Sequence, residues 1–160
     1  MGQNAGVDIS ARVEYAVRAM LTLAQAAVDG SGPQSVESLA SEQQLPRKFL
    51  ETIFGDLRRA GLVVSTRGAG GGYTLSRDAG SIPVGEIFRA VEGPLAEVRG
   101  LRPHETTYEG AASHLPTLWV AVRASLREVL DGTSLEQLRS GGLPERVVRL
   151  AEQPDAWQNR

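Results

Sequence analysis

Four of the five residues from 68 to 72 are glycine, and a run of strand-forming residues stands on either side of them. Leu62-Val63-Val64-Ser65 precedes and Tyr73-Thr74-Leu75 follows, with Thr66-Arg67-Gly68-Ala69-Gly70-Gly71-Gly72 between. Valine, tyrosine and threonine suit a pleated strand, and glycine lets a short connection take positive φ, so the stretch reads as a β-hairpin. It follows directly on a helical stretch ending in Leu57-Arg58-Arg59-Ala60, which Gly61 is placed to stop. A helix that runs straight into a glycine-tipped hairpin carrying arginine is the closing half of a winged helix-turn-helix.

The chain before the hairpin supplies the other half. Ser10 can cap a helix from about residue 11 to 28, whose Val13, Ala16, Val17, Met20, Leu21, Leu23 and Ala24 follow helical spacing. Asp29-Gly30-Ser31-Gly32-Pro33 reads as a loop, and Ser35 as the cap of a short helix over 36–43. After the turn Leu45-Pro46, a helix over about 46–60 is expected to bury Phe49, Leu50, Ile53, Phe54 and Leu57. Two short helices joined by a tight turn form a helix-turn-helix, the second entering the major groove. Its other faces carry Arg47, Lys48, Glu51, Thr52, Gly55, Asp56, Arg58 and Arg59, with Arg47, Lys48 and Thr52 near the groove-reading N-terminal half. The fold class expected is therefore mainly α with a small β-hairpin wing. Residues 1–8 carry no packing signal and are expected to be unstructured.

Beyond the hairpin, 77–81 reads as a linker and 82–92 as a short helix stopped by Gly93-Pro94. Residues 95–112 are polar and turn-rich and read as a loop. From 115 to 130, Leu115, Leu118, Trp119, Val122, Leu126, Val129 and Leu130 fall at three- and four-residue steps, a continuous apolar stripe. A small winged-helix core has no evident way to cover that stripe, so it is expected to pair with a second copy of the chain. Thr133-Ser134 can cap a helix over 135–139, and a last helix is expected over about 144–153. The division expected is a DNA-binding domain at 9–80, a linking helix and regulatory loop at 81–114, and dimerisation and C-terminal helices at 115–153.

Composition narrows the function. The 160 residues include no cysteine and only two histidines, His104 and His114, which removes thiolate nucleophiles, disulfides and cysteine-held metal sites. Net charge is −2, yet residues 46–77 hold Arg47, Lys48, Arg58, Arg59, Arg67 and Arg77 against Glu51 and Asp56, a local +4. Local charge is what a phosphate backbone feels across a Debye length of about 8–10 Å. No apolar run approaches the roughly 20 residues of a membrane helix, and the N-terminus lacks the pattern of a signal peptide, so a cytoplasmic protein is expected. An enzyme is not: the chain has no nucleophile-elbow serine, and the glycine run lacks the lysine–hydroxyl pair of a phosphate loop.

The ordered set of Glu14-Tyr15-Ala16-Val17-Arg18-Ala19-Met20, Phe49-Leu50-Glu51, Leu57 to Val63, Arg67 to Leu75, Ile82 to Ile87 and Leu118-Trp119 resembles the Rrf-two type winged-helix transcription regulators. That family includes the iron–sulfur regulator IscR, the nitric-oxide sensor NsrR and the cysteine-metabolism repressor CymR; the resemblance covers roughly residues 8–132. It implies a homodimer joined along the long helix through Leu115, Leu118, Trp119, Val122, Leu126 and Val129. That dimer would bind double-stranded DNA at a palindromic operator, most simply as a repressor. By position, it implies DNA contacts from Arg47, Lys48 and Thr52 on the reading helix and from Arg67 and Gly68 in the wing, where an arginine beside glycines can enter a narrow minor groove. Arg58 and Arg59 extend the basic face, and Arg12 is a candidate phosphate contact.

One departure is large. Cluster-binding members carry three cysteines before the long helix; here residues 100–114 contain none, so no iron–sulfur cofactor is expected. Glu14 coincides with a ligand of one branch but is expected to be a salt-bridging or capping residue, and His104, Glu105 and His114 form a candidate metal set. The resemblance then implies a cluster-free branch; the input left open is a small molecule, a partner such as a metabolic enzyme, or the level of a constitutive repressor. The rival reading is a winged-helix protein–protein adaptor that binds no DNA specifically.

Overall fold

The computed structural model describes residues 8–158, so the expected unstructured start falls outside it for residues 1–7. Helix α1 spans Ala11–Asp29. Ser10 holds extended backbone before it and its hydroxyl accepts the Val13 N–H at 3.2 Å, while Gly30 ends the helix at φ 68°. Helix α2, Val36–Gln43, is capped the same way by Ser35, which accepts from Ser38 N–H at 3.0 Å. Gln44 turns the chain in the left-handed region, Leu45 is buried, and Pro46 starts helix α3, Arg47–Arg59. These bounds follow the expected ones to within a residue or two.

Helix α3 buries Leu50, Ile53, Phe54 and Leu57. Phe49, expected beside them, is instead 51% exposed. At about 100° per residue it sits a quarter turn round from Leu50, and it meets Tyr15 of α1 edge-on with ring centroids 6.1 Å apart. An apolar residue at the border of the buried stripe caps the seam between two helices without entering the core.

Strands β1, Val63–Thr66, and β2, Gly72–Leu75, pair antiparallel, with Val63 opposite Leu75 and Thr66 opposite Gly72. The hairpin therefore begins one residue later than the apolar run suggests, because Leu62 is buried and its N–H closes on Leu57 carbonyl at 2.9 Å. A third segment joins the sheet. Gln34, from the loop between α1 and α2, exchanges two backbone hydrogen bonds with Tyr73, at 2.9 and 2.8 Å. The Tyr73 ring stacks on Phe54 at 4.5 Å, so β2 is fastened to the loop by its backbone and to α3 by its side chain. Gly72 is required at this junction: a Cβ there would stand 2.4 Å from the Gln34 carbonyl group, at a φ of 149°.

After a 3₁₀ turn at Ala79–Ser81, helix α4 spans Val84–Glu92 and stops at Gly93, φ 85°. It starts two residues later than expected, since Ile82 and Pro83 are extended and paired with residues 133–135: Val84 N–H reaches Thr133 carbonyl at 2.9 Å and Leu135 N–H reaches Ile82 carbonyl at 2.8 Å. The expected loop contains two 3₁₀ turns, Pro103–Glu105 and Gly110–Ala112. Helix α5 is Leu115–Leu130, α6 is Leu135–Ser140 with a capping box between Ser134 and Gln137, and α7 is Glu145–Ala151. Met20, Leu39, Leu50, Ile53, Phe54, Leu57, Leu62, Ile82, Ile87 and Leu135 form the sealed centre. Burial of each such side chain contributes roughly 1.5–3 kcal/mol. No residue of α5 is buried.

Candidate nucleic-acid interface

Helical periodicity sorts α3 into three faces. The core residues occupy one side; Lys48, Thr52, Gly55 and Arg59 run down the opposite side; Arg47, Glu51 and Arg58 lie on one flank, and Phe49 and Asp56 on the other. Lys48, Thr52, Arg58 and Arg59 are all exposed. The Lys48 and Arg58 side chains make no ion pair or hydrogen bond among the described residues. Arg47 is held by Glu51, four residues on, at 3.1 Å, and the Thr52 hydroxyl donates to the Lys48 carbonyl at 3.3 Å. Gly55, without a side chain, leaves the middle of this face low between Thr52 and Arg59.

The wing presents Arg67 and Gly68, both exposed, at its tip. The tip folds back through a Gly71 N–H to Gly68 carbonyl bond of 3.0 Å. Arg67 has no partner among the described residues. The pairing of β2 with Gln34 and Phe54 fixes the root of the wing that carries Arg67 against the helix-turn-helix that carries Lys48 and Arg58.

Arg12 is placed differently from the rest. Its Nη2 is ion-paired with Asp56 Oδ2 across the α1–α3 seam, and Asp56 Oδ1 accepts from Arg59 Nη1 at 3.0 Å. One carboxylate, 14% exposed, thus serves two arginines from two helices. Sequence reasoning singles out both arginines as site residues and passes over Asp56. Its spacing of three from Arg59 is readable; its meeting with Arg12, forty-four residues away, is not.

The apolar stripe of α5 lines a groove with the N-terminal end of α1 and with α4. Leu118 is 53% exposed and Val122 is also exposed, while Leu115, Trp119, Leu126 and Val129 are half-buried. A groove of about 800 Å³ runs between this helix and the winged domain, with Leu118, Val122 and Leu126 facing Val13, Phe88 and Leu95. The C-terminal end of α5 is fixed: Asp131 receives Arg89 of α4 at 2.8 Å and Arg127 at 3.5 Å. A side chain at Gly85 would collide with Asp131 Oδ1.

The candidate metal set is dispersed. Glu105 accepts the Arg102 N–H at 2.9 Å within its own turn, His104 is its neighbour, and His114 caps α5. Glu14 pairs with Arg18 at 3.2 Å, the salt bridge of the two roles expected for it. Among the described residues no three histidine, cysteine, aspartate or glutamate side chains gather in a way that could hold a metal ion. No described helix is long and apolar enough to cross a membrane.

The sequence profile of the Rrf2 family, described as an iron-dependent transcriptional regulator, matches residues 9–140. CymR of Bacillus subtilis strain 168, an HTH-type transcriptional regulator, is 39% identical over 134 residues, which is 84% of this chain and 91% of that protein. An IscR from Xenorhabdus nematophila, also an HTH-type transcriptional regulator, is 32% identical over 95% of this chain and 89% of its own. Among solved structures, CymR, the global cysteine regulator of B. subtilis, superposes with a TM-score of 0.70 at 37% identity, covering 84% of this chain and 97% of that one. IscR of T. potens gives 0.68 at 36% identity, over 86% and 89%. These relatives are regulators, not enzymes. The iron in the family's description finds no fitting donor set here, since an iron–sulfur cluster needs thiolates and the chain has no cysteine. With the winged helix-turn-helix, the basic reading face and the profile match over most of its length, the chain belongs to the Rrf2 family of helix-turn-helix transcriptional regulators.

Proposed function

We propose that the protein is a homodimeric repressor that binds a palindromic operator without an iron–sulfur cluster and answers to a small molecule or a partner protein. The observation that carries the DNA reading is the set of uncommitted cations, Lys48 and Arg58 on α3 and Arg67 at the wing tip, with the root of the wing fixed against the helix-turn-helix. Lys48 and Thr52 suit the major groove, and Arg67 with Gly68 suits the adjacent minor groove. Arg59 on the same face and Arg47 on its flank add phosphate contacts. The exposed stripe on α5 supports the dimer: an apolar helix with no buried residue gains by covering itself with a second copy, and a two-fold pair of reading helices matches a two-fold operator. The groove beside α5 and the 95–114 segment are where an effector could act. A relative named as a cysteine regulator supports a metabolic input. An effector must bind the DNA-competent and incompetent states unequally, or it shifts nothing.

The test is selection of duplexes from a random pool by the purified, metal-free protein at about 150 mM salt, where weak nonspecific binding is suppressed. Recovery of one inverted-repeat motif supports the proposal. Recovery of no motif from active, dimeric protein counts against it and turns attention to an adaptor role.

A further inference from the structure

We infer that Asp56 is a positioning residue for DNA: its carboxylate holds Arg12 of α1 and Arg59 of α3 together as one clamp for a backbone phosphate. The inference rests on the DNA-binding reading above. Asp56 stands at the border between the outward face of α3 and the flank against α1, so the pair it gathers lies at the edge of the reading face. Its two oxygens are shared out, Oδ2 to Arg12 and Oδ1 to Arg59.

Two cations on one anion leave a net +1, matched to a phosphate diester. Each guanidinium has five N–H donors and gives only one to Asp56 in this arrangement, so most remain for an acceptor from outside. Within the clamp, the Arg12 Nε is shielded from water and has no acceptor among the described residues. A shielded donor is costly and closed to outside groups as it stands, so a phosphate at the clamp meets the outer N–H groups of the two guanidiniums. Holding the two side chains also removes much of the rotamer entropy that a free arginine would lose on binding.

Charge counting alone predicts the opposite sign for removal of this carboxylate. Asp56→Asn makes the interface one unit more positive, which by itself tightens binding to any duplex. A clamp makes the same variant bind more weakly, because Arg12 and Arg59 are released from their common geometry. A carboxylate that only braced α1 against α3 would change stability and leave the salt dependence alone.

The experiment measures affinity for a duplex selected by the wild-type protein, by fluorescence anisotropy between about 50 and 300 mM salt. The proteins are wild type, Asp56→Asn, Arg12→Gln and the double variant, each checked by circular dichroism and thermal midpoint. Asp56→Asn is expected to weaken binding about tenfold at 150 mM and to lower the slope of log affinity against log salt by about one to two, at roughly 0.9 for each phosphate no longer neutralised. Arg12→Gln should lower the slope by about one, and the double variant should lose less than the sum, as coupled residues do. Binding by Asp56→Asn that is as tight as wild type or tighter, with an unchanged slope, overturns the clamp and leaves the DNA reading standing. Should Asp56→Asn fail to fold, Arg12→Gln and Arg59→Gln decide: unchanged slopes in both overturn the clamp. A wild-type protein that selects no duplex overturns both the clamp and the function it rests on.

Discussion

Arg67 is the residue whose removal separates DNA contact from everything else, because its side chain makes no hydrogen bond or ion pair among the described residues. Arg67→Gln is expected to leave the thermal midpoint unchanged while lowering the salt slope of operator binding by about one, read by anisotropy titrations at several salt concentrations. Phe54 is its opposite. It is fully buried and stacked on Tyr73, so Phe54→Ala should cost about 3–5 kcal/mol of stability in urea or thermal unfolding, enough to threaten folding of the whole wing. Farther off, Arg139 donates to both oxygens of Glu136, at 2.7 and 2.9 Å, and this hydrogen bond holds the Glu136 carboxyl below its ordinary value. A lowered native pKa contributes stability that is present above the ordinary carboxylate range and lost as pH falls through the lowered value. Glu136→Gln should therefore be less stable than wild type at neutral pH and equal to it in strong acid, by denaturant titration at the two pH values. Single residues are unevenly legible in the sequence. Lys48, Arg58 and Arg67 can be picked from pattern because exposure and charge are local properties. Asp56 cannot, since its importance lies in a contact between segments far apart in sequence.

At the level of elements, caps and periodicity carry most of the reading. Ser10, Ser35 and Ser134 each start a helix in the way their hydroxyls predict, and α5 runs over the residues that its apolar spacing marks. Phe49 escapes because a helix has edges: a residue a quarter turn from the stripe is apolar in either place. The third member of the wing sheet escapes for a different reason. Gln34 is a polar residue in a glycine-rich loop, and only the return of the hairpin gives its backbone a partner. Gly72→Ala tests that junction. With a φ of 149° and the Gln34 carbonyl in the way, the added methyl should destabilise the protein by about 1–3 kcal/mol. Alanine at Gly68, where a Cβ meets nothing within 4 Å, should show only the strain of its positive φ; thermal unfolding of the two variants side by side makes the comparison.

For the whole molecule, the decisive contrast is between a sealed winged domain and a long helix with no fully buried residue. Leu118→Glu with Val122→Glu is expected to give a folded monomer by sedimentation, with the thermal signature of the winged domain intact and operator affinity sharply reduced. A monomeric wild type would overturn the dimer, and a dimer that survives both charges would place its interface elsewhere. α5 is also not loosely hung. Asp131 locks its C-terminal end to Arg89 of α4, and the Ile82–Thr133–Leu135 pairing binds the following residues to the same body, with Gly85 leaving no slack between them. For two copies joined through α5, this rigid root turns the angle at which the helices cross into a distance between the reading heads. The number of base pairs separating two half-sites then works as a ruler laid along the protein, near 10 base pairs or a multiple when both heads face the same side of the duplex. A signal that twists the crossing by a few degrees would need to break no contact with DNA; it would only make the ruler the wrong length.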